Sequence, residues 1–183
     1  SANLAIGIAG ALGFIVVVND FLSFLPAGPP RNLTMLAIGL SPVVAYNLLF
    51  LSGFLLSGIT TYVLIEGLLG SPRAAFVGAL IYAFYPYRFE HYSHLELQMT
   101  YWMPLGLLAL HRLWQTWRMR YAIALALCGV AELYSSMYYG VFFPLYAAAI
   151  LGTLIFVSRP EWRRMAPPLV AGGLIAVVLS VPL

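Results

Sequence analysis

Seven apolar segments, separated by short polar stretches, constrain this chain more than any other feature. They cover residues 2–25, 43–69, 74–85, 101–117, 121–133, 138–157 and 166–183. An α-helix rises about 1.5 Å per residue, so roughly 20 residues cross the hydrocarbon core of a bilayer. Only 8% of the residues are charged and 62% are hydrophobic, whereas a soluble domain is about 25% charged. We therefore predict an all-α fold, a polytopic transmembrane helix bundle.

The predicted bundle is a single transmembrane helical domain over residues 1–183. Residues 33–40 follow a stretch rich in proline and precede Ser41-Pro42, which predicts a short interfacial helix between the first two segments. The chain begins at Ser1 rather than Met, and its last segment is still apolar where it ends. We accordingly expect a fragment of a longer protein.

The arginines predict how the bundle is oriented. All nine basic residues are arginines, and seven of them lie around the loops after the second, fourth and sixth segments: Arg73, Arg112, Arg118, Arg120, Arg159, Arg163 and Arg164. The positive-inside rule makes these loops cytoplasmic. The alternate loops hold only Arg31 and Arg88 and therefore face outward. Because the arginines form no basic stripe, nothing indicates a nucleic-acid partner, and membrane lipids are the expected surroundings.

Two of the segments are too short to cross a bilayer. Residues 74–85 and 121–133 would form helices of about 18 and 20 Å. Each leads into a polar patch on the outer side, residues 85–103 and 132–139. Interrupted apolar segments often mark binding sites, so this pattern predicts an outward-facing cavity. The alternative is that both helices continue, with their polar side chains facing neighbouring helices.

Residues 85–103 form the most polar of these patches. They hold two of the six acidic residues and two of the three histidines. If residues 87–98 are one helix, His91 and His94 lie on the same face as Tyr87 and Gln98, while Glu96 points elsewhere. Three interpretations stay open for this patch. It binds an anionic head group through Arg88 and the histidines, begins a divalent metal shell, or is an interfacial cluster of mutually bonded polar groups with an aromatic belt.

Two isolated acidic residues are further candidates. Glu132 lies in or near an apolar segment, where an ionisable side chain is costly and is a functional candidate by default. It either takes part in a site or pairs with Arg88 or a histidine. Nearby hydroxyls, including Tyr138, suit a sugar or lipid phosphate but equally suit a membrane interface. Asp20, toward the outer end of the first segment, either acts as a general base or ends a helix.

Several short motifs resemble those of bacterial polytopic membrane glycosyltransferases of the GT-C superfamily. They are Ser-Pro-Val-Val-Ala-Tyr-Asn-Leu-Leu at 41–49, Tyr-Pro-Tyr-Arg-Phe at 85–89, His91, His94 and Gln98, Trp-Met-Pro-Leu at 102–105, and Ser-Met-Tyr-Tyr-Gly at 136–140. The resemblance implies transfer of a sugar from a polyprenyl-phosphate donor on the extracytoplasmic face of the bacterial inner membrane. It also implies a donor site lined by Arg88, His91, His94 and Glu96, with Glu132 and Tyr138 on its rim.

The chain departs from this family in one respect. The family's catalytic acid stands in a long first outer loop, whereas the loop at residues 26–42 is short and only Asp20 is nearby. Either Asp20 is the acid, or the loop that bears it lies upstream of Ser1, which we favour. Two other functions stay open, a non-enzymatic transporter or flippase of lipid-linked substrates and a structural membrane subunit. No cofactor is required by any of these, and a divalent metal is left open.

Overall fold

The computed structural model describes residues 41–158 and 162–181, and every regular element in those two ranges is helical. The all-α prediction is confirmed for this part of the chain. The first predicted segment, the interfacial helix at 33–40 and Asp20 lie outside the described residues. The chain divides into two compact units, an N-terminal unit up to Tyr101 and a C-terminal unit from Trp102 onward.

The N-terminal unit is built on a helical hairpin of α1 (Pro42–Leu69) and α2 (Pro72–Ala83). Gly70 ends α1 in the left-handed conformation, with φ of 62°, and its N–H donates to the carbonyl of Glu66 at 2.8 Å. This conformation is strained for residues with a Cβ but open to glycine. Ser71 then caps α2 and Pro72 takes its first position. The result is a turn of only two residues between the helices.

Small side chains let α1 and α2 pack closely. Ala75, Ala79 and Ala83 recur every four residues along α2 and are all buried, so they form one face of the helix. A Cβ on Gly58 of α1 would lie 3.4 Å from that of Ala83. Beyond α2 come a short helix, α3 (Pro86–Glu90), and one turn of 3-10 helix (Leu95–Gln98), which packs against α1.

The C-terminal unit contains four helices: α4 (Trp102–Thr116), α5 (Met119–Ser135), α6 (Met137–Ser158) and α7 (Trp162–Ser180). Helix α5 is central, because it packs against each of the other three. The Tyr134 hydroxyl at its end donates to the carbonyl of Leu179 at 2.9 Å. Ser136, in an extended conformation, separates α5 from α6.

Three of the described helices are long and apolar enough to cross a membrane, over Tyr46–Leu69, Met137–Ser158 and Arg163–Ser180. Most of the second of these is exposed; Phe156, for example, is 80% exposed, which suits a lipid environment. Helices α2, α4 and α5 have 12, 15 and 17 residues, fewer than the roughly 20 of a typical span. The prediction of about seven spanning segments is thus confirmed for only three helices in the described ranges.

Candidate functional site

The polar patch at residues 85–103 does not form the single helix that was considered for residues 87–98. Helix α3 ends at Glu90, and a turn separates it from the 3-10 turn that begins at Leu95. The side chain of Gln98 explains the break, because its Nε2 donates to the carbonyl of Arg88 at 3.1 Å and to that of His91 at 3.0 Å. It occupies two carbonyl groups that a continuing helix would bond through its own N–H groups.

Arg88 points inward from this patch toward α1. Its side chain is only 3% exposed. Nη1 donates to the carbonyl of Gly53 at 3.2 Å, and Nη2 donates to Ser57 Oγ at 2.6 Å and to Thr100 Oγ1. The guanidinium also lies over the ring of Phe54, 5.3 Å from its centroid. Arg88 therefore fastens the patch to the side of α1.

The attachment point lies deep along α1. Ser57 is 11 residues from Tyr46 and 12 from Leu69, the two ends of the apolar stretch, so it lies about 17 Å from either end. Irregular backbone at such a depth is tolerated where protein covers it, and the buried Gln98 backbone packs directly on α1. A Cβ on Gly53 would lie 2.9 Å from the Gln98 carbonyl oxygen, which explains the glycine at this crossing.

The exposed side of the patch carries the two histidines. His91 stacks on Tyr87, with ring centroids 3.9 Å apart, and lies 6.3 Å from the ring of His94. His94 Nδ1 and Glu96 Oε1 are 3.0 Å apart, and both side chains are about half exposed. The structure thus brings His91 and His94 together as predicted. The expectation that Glu96 points elsewhere is wrong, because the helix on which it rested is not formed.

The remaining predicted residues lie apart from this group along the chain. Glu132 and Tyr138 belong to the C-terminal unit, where Glu132 is fully buried at the end of α5 and Tyr138 is 66% exposed on α6. Within the described ranges, no three side chains of His, Cys, Asp or Glu converge on a point that could hold a metal ion. The described part of the patch offers hydrogen-bonding and charged groups.

Sequence reasoning missed the groups on α1 that receive Arg88. Gly53, Ser57 and the buried Thr60 and Thr61 follow one another at helical spacing within an apolar helix. Such spacing places them on one face. A search for small and hydroxyl-bearing residues on one face of a span would have located this polar stripe, whereas a hydropathy average conceals it.

An apolar groove of about 910 Å³ runs along the N-terminal unit between α1 and α2. At one end Phe50, Phe54, Phe84 and Phe89 form an aromatic cluster, and Glu66 lines the other end. Phe50 and Glu66 are 16 residues apart on α1, so the groove is about 24 Å long. Its aromatic end adjoins the polar patch, because Phe89 follows Arg88 directly.

In the described residues, fold and site together define an all-α arrangement with three helices long and apolar enough to span a membrane, an apolar groove and an adjoining polar patch. Comparison of the sequence and structure with protein-family models, curated proteins and solved structures finds no match at a significant level.

Proposed function

We propose that the chain is part of an integral-membrane glycosyltransferase of GT-C type, which takes a sugar from a polyprenyl-phosphate donor on the extracytoplasmic face. In this proposal the whole protein is a polytopic helix bundle in a bacterial inner membrane. The catalytic acid is Asp20 or a residue of a loop upstream of Ser1.

One observation carries the proposal: a long apolar groove ends beside a polar patch within a single compact unit. A polyprenyl phosphate has the same two parts, an extended hydrocarbon chain and an anionic head. The groove is about 24 Å long, a large part of the about 30 Å thickness of a bilayer core. The chain of the donor lies in the groove, and its phosphate lies beyond Phe89, at the patch.

The residues of the patch divide into two roles. Arg88 and Gln98 are buried and bonded to the backbone and hydroxyl groups around them, so they are positioning residues that set the shape of the patch. His91 and His94 are the groups accessible to a phosphate, and Glu96 accompanies His94 at hydrogen-bonding distance. A protonated imidazole held near a phosphate supplies a charge-assisted hydrogen bond.

Replacing His91 or His94 by alanine is expected to lower kcat/KM for sugar transfer about tenfold, since a hydrogen bond to a charged group is worth about 1.5–3 kcal/mol. The assay is transfer from a radiolabelled polyprenyl-phosphate sugar by the purified protein in proteoliposomes. His111→Ala is the matched control, because the His111 ring bonds only Gln115 on the same helix among the described side chains. Unchanged transfer by both patch variants would remove these histidines from the mechanism.

The groove is tested with Leu80→Trp and its neighbour Ile81→Trp. Leu80 lines the groove, whereas the more exposed Ile81 does not. An indole in the groove displaces part of the donor chain, and each methylene left unburied costs about 0.8 kcal/mol. We expect kcat/KM for a long-chain donor to fall about tenfold with Leu80→Trp but to hold with Ile81→Trp. With a short-chain donor analogue, the two variants should have the same kcat/KM. If Leu80→Trp lowers kcat/KM equally with the long and the short donor, the hydrocarbon chain of the donor does not lie in this groove.

A transporter or flippase of lipid-linked substrates is the second candidate. The break between α5 and α6 at Ser136 favours it, because interrupted helices are common at transport sites. Flipping of a fluorescent polyprenyl-phosphate sugar by proteoliposomes that show no sugar transfer would select this function. Transfer without flipping would select the glycosyltransferase, and inertness of the complete protein in both assays would indicate a structural subunit.

A further inference from the structure

The end of α5 in the C-terminal unit buries polar groups that lack partners. Glu132, Ser135 and Ser136 are 0%, 4% and 3% exposed. Both carboxylate oxygens of Glu132 and both serine hydroxyls have no hydrogen-bond partner among the described residues. Side chains buried to this degree are nearly always bonded, so four unpartnered oxygens on adjacent turns call for a ligand.

Helix direction makes a negative charge at this place especially unfavourable. Glu132 lies in the last turn of α5, which ends at Ser135. The last carbonyl groups of a helix lack partners within it, and its C-terminus carries a partial negative charge that favours cations. An ionised carboxylate adds a charge of the same sign in a buried setting, where an uncompensated charge is very costly. A positive ligand removes both penalties.

We propose that Glu132, Ser135 and Ser136 bind one monovalent metal cation of the sodium type. The side-chain donors are all oxygens, which suit a hard cation. One carboxylate balances one positive charge, whereas a divalent ion would leave a net charge buried. The extended residue Ser136 ends the helix here, and helix C-termini with unwound backbone are known Na⁺ ligands in membrane proteins. The proposal of this site does not depend on the proposed sugar transfer and is tested separately.

Sodium ions themselves are the probe. Thermal unfolding of the purified protein in detergent is followed in NaCl and in choline chloride at equal ionic strength. With sodium at about 100 times its Kd, we expect the Tm to rise by about 5 °C or more in NaCl. Glu132→Gln should abolish the rise, and the double variant Ser135→Ala, Ser136→Ala should reduce it. Matched controls are the exposed Glu90→Gln and Ser180→Ala, whose hydroxyl bonds its own helix; both should keep the full rise.

Several results would overturn the proposal. Equal Tm values in the two salts show that wild-type protein binds no sodium here. A sodium-dependent rise that Glu132→Gln retains places the ion elsewhere. If the Tm of the wild type is the same in both salts and Glu132→Gln lowers it, another group of the protein neutralises the carboxylate. If Glu132→Gln raises that Tm instead, the acid is protonated in the wild type. If Glu132→Gln fails to fold, the variant Ser135→Ala, Ser136→Ala tests the proposal. A full sodium-dependent rise in the Tm of this variant would exclude the two hydroxyls as ligands.

Discussion

Replacing Arg88 by methionine is expected to destabilise the N-terminal unit by about 3 kcal/mol, since hydrogen bonds to a charged group contribute about 1.5–3 kcal/mol each. The substitution removes the donor to Gly53, Ser57 and Thr100, while the methionine fills much of the volume. The free energy of unfolding, measured by denaturant titration in mixed micelles, reports the loss. The free energy of unfolding of Arg88→Lys should lie between those of the wild type and Arg88→Met, because an ammonium keeps the charge but lacks the planar fork that reaches three acceptors.

Arg120→Met is the matched control for Arg88→Met. Arg120 is exposed, lies over the ring of Tyr121 and donates to its hydroxyl, and exposed contacts of this kind contribute little. We expect its effect to stay within about 0.5 kcal/mol. An Arg88→Met protein as stable as the Arg120→Met protein would show that the buried guanidinium does not hold the patch on α1.

Gly140→Ala is expected to destabilise the C-terminal unit by about 3 kcal/mol, the upper part of the range for overpacked cores. A Cβ at this position would lie 2.8 Å from Leu133 Cβ and would also overlap the backbone Cα of that residue. Backbone cannot move aside as a flexible side chain can, so α5 and α6 must separate. Thermal unfolding of the purified variant, read from tryptophan fluorescence, measures the effect.

Gly152→Ala, on the same helix, is expected not to lower stability. Apart from the backbone of its own helix and its chain neighbours, no described atom lies within 4 Å of a Cβ at Gly152, and alanine is favoured over glycine in a helix by about 1 kcal/mol. This variant should be as stable as the wild type or slightly more so. Similar losses from both substitutions would mean that helix α6 as a whole, rather than its crossing with α5, is sensitive to change.

The helices could be predicted from the sequence because their signals are local. The expected segment at 43–69 became α1 (Pro42–Leu69), and that at 138–157 became α6 (Met137–Ser158). Serine followed by proline at the start of α1 and α2 and glycine at the end of α1 are also local signals. Counting spans from hydropathy was less successful at α4, which has only 15 residues, whereas the shortness of α2 and α5 was expected from the sequence.

The internal arrangement of the patch could not be predicted, because it depends on contacts between distant residues. The break after Glu90 follows from Gln98 bonding back to the Arg88 carbonyl, and Arg88 itself is directed by Ser57, 31 residues away. Helical periodicity predicted that His91 and His94 lie close together. Their rings are neighbours in the structure as well, although a turn and not a helix brings them together. The same periodicity placed Glu96 wrongly, because only a continuous helix would turn that side chain away.

The two-residue turn between α1 and α2 bears on how the chain is made. With 12 residues, α2 is too short for the insertion machinery to recognise as a span in its own right. Because two residues connect it to α1, whose apolar stretch has 24 residues, we expect the pair to enter a bilayer as one hairpin. Arg88 lies just beyond α2, so we expect it to reach its depth together with α1, which supplies the Gly53 carbonyl and the Ser57 hydroxyl as acceptors for its side chain.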